Sequence, residues 1–197
     1  MIKKNSQNFG FSLIELMVSL SIFTIVVTMS VGSLLVLIDA NAKAQNMQQV
    51  MTNITFALDS IAREVRTGSG FYCSNTSTSL DEFTTQDCMN GEYLSLVEGG
   101  SSLTGGASDS RIYFRYNSSD KTVDRRIGSS GTWFPLTSAE ITVTDMSFYV
   151  YNSESGAEGN DKQAYVTIFI EGHAGQLESV DTSFAMQTTV AKRILDI

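Results

Sequence analysis

The hydrophobic pattern of the chain changes near residue 67. Before that point apolar residues run without a break or recur at helical spacing. Beyond it they form short runs between Gly- and Ser-rich stretches. From Leu16 to Ile38 no residue carries a charge. At about 1.5 Å per residue this run makes roughly 35 Å of helix, sufficient for a hydrocarbon core of about 30 Å. The segment after it has no glycine or proline until Gly68. Within it Met47, Val50, Ile54, Leu58, Ile61 and Val65 recur at steps of three or four, one stripe of an amphipathic helix. The pattern therefore predicts a helix over Phe11–Thr67, about 85 Å long if continuous, ended by Gly68 and Gly70. Its outer half should pack the stripe on a globular domain.

Strands are expected at Tyr93–Val97, Arg111–Tyr116, Thr122–Ile127, Ile141–Thr144, Met146–Tyr151, Ala164–Glu171 and Thr182–Arg193. Ile112, Phe114 and Tyr116 alternate with Arg111, Tyr113 and Arg115, as on a half-buried strand. Asn117–Lys121 reads as a hairpin turn. The apolar run Tyr165–Ile170 reads as a central strand. The fold class is α+β, a long N-terminal helix packed on an antiparallel sheet domain. Residues 11–38 form the membrane segment, 39–67 the amphipathic half of the helix and 68–197 the β-rich domain.

Composition narrows the function classes. The net charge of −8 argues against broad nucleic-acid binding. Arg125, Arg126, Lys192 and Arg193 could form a local basic spot, but short charge pairs are usually solvated, and DNA contact is not expected. Lys3 and Lys4 precede the apolar run, and the first acid is Glu15. The positive flank should stay in the cytoplasm, with the β-rich domain on the other side of the membrane. A secretory signal would have a shorter core and a cleavage site at small residues such as Thr28, Ser30, Gly32 or Ser33, yet the apolar pattern continues past them. A plain anchor explains the length but leaves Glu15 without a purpose, since a carboxylate in a membrane helix is unfavourable and usually functional.

A short basic leader followed by Gly10, Phe11, Ser12, Leu13, Ile14, Glu15 and Leu16 resembles the processing motif of type IV prepilins and type II secretion pseudopilins. The resemblance implies that residues 1–10 are a leader removed by prepilin peptidase between Gly10 and Phe11, and that Phe11 is N-methylated. It further implies that Glu15 meets the terminal amine of a neighbouring subunit and sets register during assembly. Expected partners are other pilin or pseudopilin subunits, prepilin peptidase, the inner-membrane assembly platform and membrane lipid. Ala57–Arg66 and Thr182–Arg193 are similar to segments of J-type pseudopilins and W-type minor pilins. Gly32 stands where many major pilins have a helix-bending proline, and no proline occurs before Pro135. That favours a pseudopilin or minor pilin.

Cys73 and Cys88 lie in the domain expected outside the cytoplasm, where they can pair. A bridge would stabilise by about 3 kcal/mol in the loop-entropy model; two unpaired thiols are the alternative. Glu154, Glu158 and Asp161 crowd one polar loop. Calcium is conceivable there on chemical grounds, but the spacing is not that of an EF-hand, and a solvated acidic loop is the preferred reading. His173, between glycines, is expected in a turn. No nucleophile–base motif or phosphate-binding loop occurs, so neither catalysis nor a cofactor is expected. The expected role is a structural subunit of a type II secretion pseudopilus or type IV pilus. A filament-tip module for DNA uptake or adhesion is the alternative.

Overall fold

The computed structural model describes residues 10–76, 84–101, 110–154, 162–174 and 182–193. One helix, α1, spans Leu13–Thr67. It is followed by strands β1 (Ser69–Ser74), β2 (Cys88–Gly91), β3 (Tyr93–Val97), β4 (Arg111–Asn117), β5 (Thr122–Ile127), β6 (Phe134–Pro135), β7 (Ile141–Tyr151), β8 (Tyr165–Ala174) and β9 (Thr182–Ala191). The chain divides into two units, Met1–Ala42 and Lys43–Ile197.

In the second unit the strands form two antiparallel sheets rather than one. The first has the order β1-β3-β4-β5-β6 and the second β2-β7-β8-β9. Both contribute to one apolar core. The outer half of α1 supplies Val50, Ile54, Leu58, Ile61 and Val65; the first sheet supplies Phe71, Leu94, Leu96, Ile112, Phe114 and Val123; the second supplies Phe148, Val150, Val166, Ile168 and Ile170. The helical stripe is thus buried as the spacing requires, with Ala57 and Ala62 added to it. Met47 is the exception, exposed at 39%.

The C-terminal end of α1 is fixed by specific contacts. Gly68 donates its N–H to the Glu64 carbonyl at 2.7 Å. A side chain there would meet Leu96 at 2.7 Å and the Val97 carbonyl at 2.9 Å, so only glycine lets β3 approach the helix end. The Arg193 N–H, just past β9, donates to the otherwise open Arg66 carbonyl at 2.9 Å.

Two expected strands, Ile141–Thr144 and Met146–Tyr151, are one strand with a bulge between Val143 and Asp145. The apolar positions explain it. Ile141 and Val143 are out of phase with Met146, Phe148 and Val150, yet all five are buried. One extra residue restores the phase and keeps both sets inward. The Tyr116 hydroxyl donates at this bulge, with the Val143 and Thr144 carbonyls 3.0 and 3.1 Å away. His173 lies on β8, not in a turn; it faces Thr142 of β7 and Ser183 of β9. Gly172 beside it leaves room for the Phe184 ring, whose Cζ would lie 2.8 Å from an added Cβ.

Candidate functional site

The candidate processing site is the start of the chain's helix. Gly10, Phe11 and Ser12 precede α1, and the first helical bond runs from the Leu16 N–H to the Ser12 carbonyl at 3.2 Å. Ser12 is therefore the N-cap residue, and Glu15 stands at the third helical position. This S-x-x-E spacing is the capping-box pattern, and a carboxylate in the first turn also complements the helix dipole. Sequence reasoning assigned Glu15 to register alone and did not note this spacing; no side-chain hydrogen bond joins Ser12 and Glu15. Nothing lies within 4 Å of a Cβ built on Gly10. Packing in the monomer therefore gives no reason for glycine at that position. Phe11 is 79% exposed.

The apolar length of α1 is exposed throughout. Its most apolar 18-residue window has a mean hydropathy of 2.3 and is 0% buried. Six hydroxyls interrupt the run, and five of them, those of Ser19, Ser21, Thr24, Thr28 and Ser30, bond back to the helix. Each donates to the carbonyl four residues earlier, at 2.7–2.8 Å. Bonded back in this way these five leave no open donor facing outward, which keeps that part of the surface apolar. A helix of this length and composition fits a membrane-anchored, single-pass protein.

In the outer unit Cys73 and Cys88 form a disulfide with their Cα atoms 5.6 Å apart. The bond joins β1 of one sheet to β2 of the other. Gly91 packs against it: a Cβ at that position would collide with both Sγ atoms.

The arginines of β4 and β5 are engaged by their neighbours, and Arg193 lines a depression with Glu64 and Arg66. Arg125 pairs with Glu64 of α1 at 2.7 Å. The Arg126 guanidinium lies 4.3 Å from the Tyr113 ring centre and 4.7 Å from that of Trp133, and Arg115 covers Trp133 at 4.2 Å. Arg115 also pairs with Asp124 at 2.9 Å. Lys192 is buried, and its carbonyl accepts a bond from the Gln163 amide.

Of the acidic loop, Glu154 is described, whereas Glu158 and Asp161 lie outside the described residues. Among the described residues no three His, Cys, Asp or Glu side chains converge as metal ligands would. Glu171, His173 and Ser183 line one shallow depression on β8 and β9. No hydrogen bond links the three side chains, so they form no proton relay. Burial raises the pKa of Tyr116 above the ordinary tyrosine value, and the carboxylates of Asp145 and Glu92 raise it further.

A family model described as the prokaryotic N-terminal methylation motif matches residues 5–31. No curated protein and no solved structure matches the chain. The matched residues hold Gly10, Phe11, Ser12 and Glu15 together with the first half of the apolar run. The chain thus carries a type IV prepilin-like motif, which supports the pilin and pseudopilin family.

Proposed function

We propose that this chain is a minor structural subunit of a type II secretion pseudopilus or a type IV pilus, cut between Gly10 and Phe11 by prepilin peptidase and N-methylated on Phe11. The methylation motif over residues 5–31 carries the reading. The geometry is consistent with it: the Gly10–Phe11 bond precedes the first helical turn, next to an exposed phenylalanine. The subunit works by assembly and contact rather than by catalysis. Before assembly it sits in the inner membrane as a single-pass protein. Lys3 and Lys4 hold its N-terminus in the cytoplasm, and the β-rich unit lies outside. The Cys73–Cys88 disulfide supports that orientation, because disulfides persist in oxidising compartments.

Cleavage leaves an amine at Phe11, one helical turn from Glu15. In apolar surroundings a lone carboxylate is unfavourable, and an ammonium group from a neighbouring subunit offsets it. An apolar helix alone slides along its neighbours; a charge pair fixes one axial position. Glu15→Leu keeps the membrane segment intact, so membrane fractionation should be unchanged. Crosslinking to other pilin-like subunits should be lost. Unchanged crosslinks and an unchanged secretion or pilus phenotype would show that Glu15 sets no register here.

A further inference from the structure

The two faces of the second sheet differ in composition. Inward, β7, β8 and β9 send their aliphatic side chains into the core. Outward, these strands present no Leu, Ile, Val or Met, yet they carry four half-buried aromatic rings, those of Tyr149, Tyr151, Tyr165 and Phe169. The register places Tyr151 opposite Tyr165, Tyr149 opposite Thr167, and Gln187 opposite Phe169. At about 6.8 Å between outward residues of a strand and about 4.8 Å between strands, the rings share a patch of roughly 14 Å by 10 Å.

Contacts within the patch hold its side chains in place. The Tyr151 and Tyr165 rings stack with centroids 4.9 Å apart and planes at 20°. The Tyr149 hydroxyl donates to Asn90 Oδ1 at 3.4 Å. The Thr167 and Thr189 hydroxyls bond to each other at 2.9 Å. An open depression of about 410 Å³ lies among Tyr149, Tyr151, Thr167, Phe169 and Gln187, a size within the range of small-ligand sites. None of its lining residues is charged. On the same face of β7 and β8 the first carboxylates are Asp145 and Glu171, paired across the strands one step beyond Phe169.

We propose that this face is a carbohydrate-binding platform that takes hexose rings of a neutral polysaccharide. A pyranose ring has C–H groups on its flat face and hydroxyls around its edge. The aromatic faces receive the C–H groups, and the Gln187 amide and the Thr167 and Thr189 hydroxyls bond the edge. Because the rings are already held, little ordering cost falls on binding. The charges decide against nucleic acid. Stacked bases need a cationic groove for their phosphates, whereas the flanking charges here are the acids Asp145 and Glu171, on a chain of net charge −8. The hydroxyls decide against a protein partner. The centre of a protein interface is apolar, whereas Thr167 sits at the centre of this patch, bonded to Thr189.

The test is affinity electrophoresis of the full chain, in a detergent without a sugar headgroup so that the detergent does not compete. Native gels carry hydroxyethyl cellulose, galactomannan or dextran as neutral probes, and alginate as an acidic one. At least one neutral polymer should retard the chain, and alginate should not; oligothymidylate should not shift it either. Tyr151→Ala and Phe169→Ala should each weaken retardation about tenfold, the loss of one stacking contact. Gln187→Leu should weaken it about fivefold, the loss of one hydrogen bond, with no aromatic ring disturbed. Phe169→Tyr, which keeps the ring, and Ser183→Ala, beyond Glu171 on the same face, should bind as the parent does. Unchanged melting temperatures separate loss of binding from loss of fold, and Gln187 is exposed, so its variant tests the site even where an aromatic variant is destabilised. Retardation by none of the neutral polymers overturns the proposal. So does binding of alginate or oligothymidylate as tight as that of the neutral polymers, or parental binding by Tyr151→Ala, Phe169→Ala and Gln187→Leu alike. If no neutral polymer binds and Thr189→Cys crosslinks to a second protein in cells, the face belongs to a protein partner instead.

Discussion

Replacing Ile61 by alanine tests whether the outer half of α1 is a core element of the β-rich unit. Ile61 is fully buried among residues of both sheets. The substitution removes three carbons, each worth about 0.8 kcal/mol of transfer free energy, and leaves a cavity that relaxes only in part. The expected destabilisation is about 3–4 kcal/mol. For a unit of this size each kcal/mol shifts the melting temperature by about 2–4 °C, so a fall of roughly 10 °C is expected. Phe56 on the same helix provides the contrast. It is larger but 67% exposed, and alanine is the better helix former. Phe56→Ala should change stability by no more than about 0.5 kcal/mol, or about 2 °C. Both variants should be melted as full chains dispersed in detergent, followed by near-ultraviolet circular dichroism. Equal shifts, or a larger loss from Phe56→Ala, would refute the packing of the stripe at residues 50–65 on the sheets.

Gly91→Ala should destabilise the disulfide-bonded protein by about 1–3 kcal/mol, through overpacking against both sulfur atoms. In a Cys73→Ser, Cys88→Ser background its effect in urea titrations should shrink; an undiminished effect would separate Gly91 from the bridge. Tyr116 is held neutral in the fold, so the unfolded chain loses this proton first as pH rises. Its contribution is present below the ordinary tyrosine pKa of about 10 and is lost as pH climbs from there through the raised folded value. Tyr116→Phe should cost about 1 kcal/mol at neutral pH, by loss of the hydroxyl contact at the β7 bulge, and should flatten the fall in stability above pH 10. A mutant curve parallel to the parent across that range would contradict the assignment.

Much of this architecture was legible because it rests on periodicity. The stripe from Val50 to Val65, the alternation in β4 and the Asn117–Lys121 turn are local patterns with local causes. In that turn the Asn117 side-chain oxygen accepts from the Ser119 and Asp120 N–H groups. What escaped depends on distant partners. β1 and β2 are short segments held by β3 and β7 and by the disulfide, and in isolation they carry little strand signal. The bulge in β7 looked like a break because a single strand was expected to keep one phase. Met47 fits the stripe by spacing, but burial there depends on what lies opposite. His173 between two glycines resembled a turn, yet the glycine at 172 serves the close approach of Phe184. At the N-terminus the apolar run and Glu15 were visible as chemistry. The S-x-x-E spacing of Ser12 and Glu15 was overlooked because an assembly role was already assigned to the same carboxylate.

Intact mass after coexpression with a prepilin peptidase tests most directly whether the N-terminus is a processing site. The chain should lose residues 1–10, begin at Phe11 and gain the mass of one methyl group on its new amine. Gly10→Val should block that change while leaving the helix that starts at Leu13 unaltered, since position 10 has open space around it. A chain that keeps its first ten residues, or is cut near Ser30 instead, would contradict the pilin-like reading.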